Sequence, residues 1–195
     1  MTKNKIKDEG GGEFRILNNG KIFEKVGGNF SEVYGKFSNE IRKKIPGADK
    51  NPNFWASGIS VVIHPFSPKI PAIHMNTRFI VTEKSWFGGG ADITPSNFNS
   101  SSSKRLAKFF HTQLFQTCET STKGSYKNYK KWCDEYFFLP HRNEPRGLGG
   151  IFYAYLASGN WENDFCFTTT VAETFIDSYK QIVKQTKNWK WNDKD

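Results

Sequence analysis

The chain is predicted to fold as an α+β domain in which an antiparallel β-sheet is flanked by helices. Strand-like segments rich in β-branched and aromatic residues fill the first half of the chain, and turn signals separate them. Segments with helical periodicity fill the second half. Consecutive strands joined by short turns pair antiparallel, and helices that follow them cover a face of the sheet.

Three segments carry the strand signals. Residues 14–26 hold two short apolar runs on either side of the turn sequence Asn-Asn-Gly at 18–20, which is a strong hairpin signal. Residues 58–66 (GISVVIHPF) and 77–83 (TRFIVTE) are rich in β-branched residues and are predicted to be strands. A connection with several prolines joins them.

Helical signals begin near residue 101. Ser101 to Ser103 offer N-caps for a helix that runs to about Cys118, and residues 125–139 form a second predicted helix. A short apolar run, GGIFYAYL, precedes a long amphipathic helix. The predicted contact faces of the last two helices contain Tyr126, Tyr129, Trp132, Cys133 and Tyr136, and Val171, Ala172, Phe175, Ile176, Tyr179, Ile182 and Val183.

The 195 residues suffice for one domain with a substantial core. Repeats and internal linkers are missing from the sequence, so we predict a single domain over residues 12–188. Residues 1–11 are predicted to be a flexible polar lead, and residues 189–195 a polar tail.

The net charge of +9 favours an anionic partner, which is a nucleic acid, an acidic membrane surface or a small polycarboxylate. A solvated basic surface without a partner explains the charge equally well. Aromatic residues make up 16% of the chain; some of them are expected to fill a core, and an excess would suit a flat hydrophobic ligand.

The three cysteines lack the CxxC spacing of a zinc or redox motif, which predicts reduced thiols in a cytoplasmic protein. The first residues lack the apolar core of a signal peptide, and no apolar run approaches the roughly 20 residues of a membrane span. A soluble protein without a membrane span is therefore expected.

The segment SWFGGGADITPS, residues 85–96, contains three consecutive glycines followed by Asp92. It lacks the lysine and the glycine spacing of a phosphate-binding P-loop, and GxGxxG is not completed. We predict a loop after a strand, where glycines let the backbone approach a bulky ligand and Asp92 points into a site. A simple bulge at a strand end is the alternative.

The segment HRNEPRGLGGIFY, residues 141–153, concentrates Arg142, Glu144 and Arg146 before a second glycine cluster. Arginine side chains bind carboxylates through two hydrogen bonds, so Arg142 and Arg146 are candidate binding residues for an acidic substrate. The alternative is a surface loop whose charges pair with one another.

Together, these segments resemble the oxygen-dependent coproporphyrinogen III oxidase family. The stretches NGKIFEKVGGNFSEVYG, GISVVIHPFSPKIPAIHMNTRFI, WFGGGADITP and NYKKWCDEYFFLPHRNEPRGLGGIF resemble the family's signature segments and occur in the family's order. The resemblance covers most of the chain, from about Glu9 to Ile182.

The resemblance implies an O2-dependent oxidative decarboxylation of two propionates of coproporphyrinogen III, which gives protoporphyrinogen IX in heme biosynthesis. It implies Asp92 as the acceptor for the pyrrole N–H groups and His74 as proton donor. Substrate contacts would come from Ser60, Asn76, Thr77 and Arg78, with Arg142 and Arg146 as further candidates. O2 is the co-substrate, no cofactor is required and the family forms homodimers.

In bacterial members of the family, histidines are proposed as metal ligands, and by resemblance these are His64, His74, His111 and His141. Their spacing in the sequence does not match a compact zinc motif. The resemblance therefore leaves open both a divalent metal and a reaction with O2 alone.

Two departures from the family pattern shape our expectations. The family's Phe-Phe-Asp-Asp-Leu is FYAYL here, so Ala154 and Tyr155 replace two acids. The family's C-terminal strands, its Gly-Gly-Arg motif and most of its first helix have no counterpart, so the resemblance implies a shortened chain with an incomplete sheet.

Three hypotheses of function remain open at this stage. The first is a coproporphyrinogen oxidase, and the second is a non-catalytic or split relative that binds porphyrinogen. The third, a basic nucleic-acid binder, depends on charge and aromatic content alone, and the resemblance predicts that no nucleic acid is bound.

Overall fold

The predicted α+β class is confirmed by a computed structural model, which describes residues 10–192. Its centre is a six-stranded antiparallel sheet in the order β1-β2-β3-β4-β5-β8. The predicted hairpin at 18–20 and both predicted strands are present. The strands are β1 (Gly10–Asn18), β2 (Phe23–Lys36), β3 (Asn53–Pro65), β4 (Ala72–Val81), β5 (Ser85–Thr94) and β8 (Gly150–Leu156), with a small hairpin of β6 (Phe138–Leu139) and β7 (Glu144–Pro145).

Three α-helices follow β5 in the chain: α1 (Ser101–Ser121), α2 (Ser125–Tyr136) and α3 (Trp161–Thr186). The N-cap of α1 is Ser100, one residue before the predicted caps, because its side chain accepts a hydrogen bond from the Ser103 N–H. Asn160 caps α3 in the same way through the Asn163 N–H.

The sheet has two different faces. Directly paired residues of antiparallel strands point to the same side, so the strand register assigns each side chain to a face. One face is buried beneath α1 and α3 and forms the hydrophobic core; we call it the core face. Its central residues are Ile63, Ile73, Met75, Ala91, Ile93, Ile151 and Tyr153. We call the opposite face, which contains Ser60, His74, Asn76, Arg78 and Asp92, the polar face.

Helix α3 covers the core face largely as predicted. Val171, Phe175, Tyr179 and Ile182 are buried in the core. Ile176 was predicted to be buried and is 37% exposed, because it lies beside the stripe that contacts the sheet and α1.

Helix α2 lies at the edge of the sheet and contacts β8. Tyr129 packs against Tyr153 on the core side, whereas Trp132 packs against Phe152 on the polar side. Of the five residues predicted to share its contact face, Cys133 is fully buried and Tyr136 is mostly exposed. The helix thus closes one end of the polar face.

The glycine segment was predicted to be a loop, and this prediction is wrong. Gly88, Gly89 and Gly90 are buried inside β5, hydrogen-bonded between β4 and β8. A Cβ atom at Gly89 would lie 2.7 Å from the Asn76 carbonyl oxygen, and one at Gly90 would lie 2.5 Å from that of Ile151. The glycines therefore serve the close approach of three strands, in a segment without the β-branched residues that usually indicate a strand.

The two residues that replace the family's acids lie at an irregularity of β8. Phe87 pairs with Leu156 and Gly89 pairs with Tyr153, so Ala154 and Tyr155 form a bulge. Tyr155 has a φ of 57° and packs against Trp86 at 5.5 Å between ring centroids.

Of the predicted polar lead, Gly10 and Gly11 belong to β1, and residues 1–9 lie outside the described part of the chain. Residues 193–195 of the predicted tail also lie outside it. Within residues 10–192, none of the helices combines the length and apolar character that crossing a membrane requires.

Candidate active site

The polar face gathers the candidate residues from three neighbouring strands. Ser60 of β3 is paired with Asn76 of β4, and His74 of β4 is paired with Asp92 of β5. Arg78 follows on the same side of β4, since alternate residues of a strand share a face. Residues that are far apart in the sequence thus form one continuous surface.

Asp92 is the centre of the site and its side chain is only 6% exposed. Its Oδ1 accepts hydrogen bonds from His74 Nδ1 at 2.8 Å and from Thr94 Oγ1 at 3.3 Å. Its Oδ2 accepts from an Arg146 guanidinium nitrogen at 2.7 Å. Three hydrogen-bond donors, one of them a positively charged guanidinium, therefore compensate the burial of this carboxylate.

The contact with Asp92 fixes the proton arrangement of His74. A carboxylate only accepts hydrogen bonds, so the His74 Nδ1 carries a proton and Nε2 is the nitrogen left for exchange with a ligand. His74 can therefore take up and release a proton at Nε2 on the polar face.

Arg146 lies across the top of Asp92 and stacks on an aromatic ring. Its guanidinium carbon is 3.8 Å from the centre of the Phe137 ring, and its Nε is buried without a hydrogen-bond partner within the described residues. Arg142 behaves differently, because it is largely exposed and pairs with Glu144 at 2.7 Å. Arg142 thus follows the alternative of charges that pair within the loop, whereas Arg146 pairs with Asp92 of β5, a partner that neither alternative predicted.

Thr77 is separated from the other predicted substrate contacts. It lies between Asn76 and Arg78 on β4, so its side chain points to the core face. There it lines an aromatic groove with Phe79, Phe87 and Trp161. A direct side-chain contact between Thr77 and a ligand on the polar face is excluded by this geometry.

The four histidines are not gathered into one metal site. Among residues 10–192, no group of three or more His, Cys, Asp or Glu side chains is arranged to hold a metal ion. His64 and His74 are neighbours at 5.9 Å between ring centroids, and His141 lies exposed in a turn. The predicted four-histidine ligand set therefore does not fit this structure.

His111 has a structural environment. Its Nε2–H donates to the Leu148 carbonyl oxygen at 2.8 Å, and its Nδ1 accepts from the Tyr126 hydroxyl at 2.8 Å. Burial lowers the pKa of His111 below its usual value of 6.5. Both ring nitrogens are thus used within the protein to tie α1 to α2 and to the loop before β8.

Several residues of the site were missed by the sequence prediction. Thr94 follows Asp92 by two positions, and this strand period was the available signal. Cys133 is buried near Asp92 and Arg146, and burial raises the pKa of its thiol to about 12. Phe137 and Phe152 form the aromatic wall. The position of α2 at the sheet edge brings Cys133 and Phe137 to the site, and the pairing of β8 with β5 brings Phe152 there.

The fold and site define an α+β protein with a buried carboxylate–imidazole–guanidinium cluster on one face of an antiparallel sheet. The family model for coproporphyrinogen III oxidase matches residues 1–195, so the chain belongs to the coproporphyrinogen III oxidase family. The resemblance seen in the sequence is confirmed.

Named relatives agree with the family model. The chain is 48% identical over 187 residues to the oxygen-dependent coproporphyrinogen-III oxidase of Rickettsia bellii (strain RML369-C), covering 96% of this chain and 66% of that protein. It is 49% identical over 182 residues to the enzyme of the same name from Rickettsia akari (strain Hartford), covering 93% of this chain and 64% of that protein. The chain thus spans slightly less than two thirds of the length of these curated relatives.

Proposed function

We propose that the chain acts in the O2-dependent oxidative decarboxylation of two propionates of coproporphyrinogen III, which gives protoporphyrinogen IX in heme biosynthesis. The observation that carries the proposal is the Asp92 cluster, in which a buried carboxylate orients His74 and is paired with Arg146. Family membership and the printed names of the relatives support the choice of reaction.

The chemistry requires proton control at a side chain of the macrocycle. Conversion of a propionate to a vinyl group releases CO2 and removes one proton and two electrons from the side chain. O2 takes up the two electrons and two protons and becomes H2O2, so one proton beyond that of the side chain has to be supplied. His74 is the proposed proton donor, because its Nε2 is available while Asp92 holds Nδ1. We propose no step through a metal, since the four histidines do not form a ligand set.

Asp92 is proposed to accept hydrogen bonds from the pyrrole N–H groups. Two oxygens offer about four acceptor positions, of which His74, Thr94 and Arg146 use three. The remaining position on Oδ2 suits a ligand N–H, and rotation of Arg146 would open a second one. Positive charge that develops on the ring would be stabilised by this carboxylate.

Arg78, Asn76 and Ser60 are proposed to bind carboxylates of the substrate. No acidic partner of Arg78 is found within residues 10–192, and its guanidinium carbon lies 5.7 Å from the centre of the Phe152 ring. A cation without an internal counterion beside an aromatic wall is suited to an acidic, flat ligand. Arg146 is proposed to serve the substrate through Asp92, and Arg142 to have at most a peripheral role because it pairs with Glu144.

A cytoplasmic location and a homodimer belong to the same proposal. All three cysteines are free, two of them buried, which suits a reducing compartment. Light scattering of the purified chain at several concentrations measures the oligomeric state directly, and a mass of one chain at all concentrations would contradict the homodimer.

The test is an assay of coproporphyrinogen III conversion, performed first without O2 and then with O2. The product is oxidised to the porphyrin and separated by chromatography. We expect turnover by the wild type, and a loss of about 100-fold or more in Asp92→Ala, because the cluster loses its centre. Asp177→Ala removes an exposed aspartate that pairs with Lys180 and serves as the matched control.

Three outcomes decide the proposal. Turnover that requires O2 and Asp92 supports it. Equal turnover in wild type and Asp92→Ala would contradict the role of the cluster. Porphyrinogen binding without turnover would instead support a non-catalytic, binding function of this chain.

A further inference from the structure

A row of polar side chains crosses the polar face beyond the Asp92 cluster. Asn29 of β2 is paired with Ser60 of β3, and Ser60 is paired with Asn76 of β4. In directly paired positions, side chains on one face are close enough to bind the same group, with Cβ atoms roughly 5 Å apart. Asn29 thus continues, on the next strand, a line of two residues already proposed to bind substrate.

The side chains of this row have no internal hydrogen-bond partners. Within residues 10–192, no hydrogen bond is made by the side chains of Asn29, Ser60 or Asn76. The Oδ1 atom of Asn76 is moreover buried without a partner. Buried polar atoms normally have partners, so the unpaired Oδ1 of Asn76 suggests that a ligand supplies one. The side chains of Asn29 and Ser60 are exposed beside it and are therefore accessible to the same ligand.

Asparagine in the middle of a strand is unusual, because its side chain competes with the backbone for hydrogen bonds, yet β2 and β4 each carry one on either side of Ser60. The stability of β2 therefore gives no reason for an asparagine at position 29. The row is bordered by aromatic rings at both ends. At one end, Phe14 of β1 is paired with Asn29. At the other end, Gly90 of β5 is paired with Asn76, and Phe152 of β8 is paired with Gly90. Polar groups between aromatic walls are typical of a site for a flat ligand with polar substituents.

We infer that Asn29 is a substrate-binding residue, and that its amide N–H group and the Ser60 hydroxyl together hold one carboxylate of the macrocycle. This inference depends on the proposed function. Asn29 lies three strand spacings across the sheet and two residues along it from Asp92, a distance of roughly 16 Å, so a small ligand cannot contact both. A tetrapyrrole that places its ring over Asp92 and extends a propionate across β4 and β3 can contact both.

The test is fluorescence titration of the full chain with coproporphyrin III, the stable oxidised form of the proposed substrate. We expect Asn29→Asp to weaken binding about tenfold or more, because it places a negative charge opposite a carboxylate. Asn29→Ala should weaken binding by about tenfold or less, through loss of one hydrogen bond to a charged group. Asn53→Asp, an exposed asparagine of β3 on the opposite side of the sheet, makes the same charge change and should leave affinity unchanged.

A second ligand separates recognition of charge from a change in structure. The tetracarboxamide of coproporphyrin III has the same size but no charge, so Asn29→Asp and wild type should bind it with equal affinity. Weaker binding of both ligands by Asn29→Asp would indicate a structural defect and would overturn the inference.

The remaining outcomes distinguish the inference from the proposed function. If wild type and Asn29→Asp bind coproporphyrin III equally, Asn29 is not a binding residue, while the proposed function stands. If wild type binds neither coproporphyrin III nor coproporphyrinogen III, the proposed function of this chain fails, and the inference fails with it.

Discussion

The core face and the polar face are formed by the same strands, yet their side chains meet different demands. On the core face, Ile73 and Ile93 are completely buried against α1 and α3. On the polar face, the residues paired next to them, His74 and Asp92, form a charged cluster with Arg146. The comparison indicates that burial on the core face stabilises the fold, and that the polar face can therefore keep charged and unpaired side chains.

The largest expected effect is on the core face. Phe175→Ala should lower the free energy of unfolding by about 3–5 kcal/mol, because the side chain is completely buried and leaves a cavity. Phe14→Ala on the polar face is the matched control and should cost less than about 1 kcal/mol, since that ring is 37% exposed. Urea unfolding followed by tryptophan fluorescence measures both, and equal losses would contradict the division of roles.

Substitution of glycines on the polar face should have a smaller effect on stability. Gly90→Ala should destabilise the protein by about 1–3 kcal/mol, because the added Cβ meets the Ile151 carbonyl oxygen. Gly27→Ala should change stability by less than about 1 kcal/mol, since nothing lies within 4 Å of that position. Thermal unfolding of the two variants under the same conditions tests this, and a tolerated Gly90→Ala would show that β5 can shift.

Neighbouring residues of β4 test the assignment of faces for ligand binding. Arg78→Ala should weaken coproporphyrin III binding by about tenfold or more, because a charge-assisted hydrogen bond is lost. Thr77→Ala should change affinity by less than about twofold, since its side chain lies on the core face. Fluorescence titration compares them, and a strong effect of Thr77→Ala alone would place the ligand in the aromatic groove.

The smallest expected effect is a pH dependence of stability from His111. Its pKa is lowered by burial, so below pH 6.5 the unfolded chain binds a proton that the folded chain does not. Stability from this residue is present above pH 6.5 and is lost as the pH falls. The melting temperature of wild type should therefore fall more steeply between pH 7 and 5 than that of His111→Gln, and parallel curves would contradict this.

Much of the site was predictable from individual residues. Asp92, His74, Ser60, Asn76 and Arg78 were named from their sequence setting and the family resemblance, and the register brings them to one face. Thr77 could not be separated from its neighbours while the face of β4 was unknown. The pairing of Arg146 with Asp92 was equally unpredictable, because the two residues are 54 positions apart in the chain.

The sequence by itself determined the order of the elements, the α+β class, the family and most of the candidate site residues, because these depend on local patterns and motifs. The tertiary structure alone decided that the glycine segment is a buried strand, that Arg146 pairs with Asp92, and that His111 ties helices together. It also placed Asn29 in line with Ser60 and Asn76. These features arise from strand register and helix packing, which connect residues far apart in the chain and have no local signal.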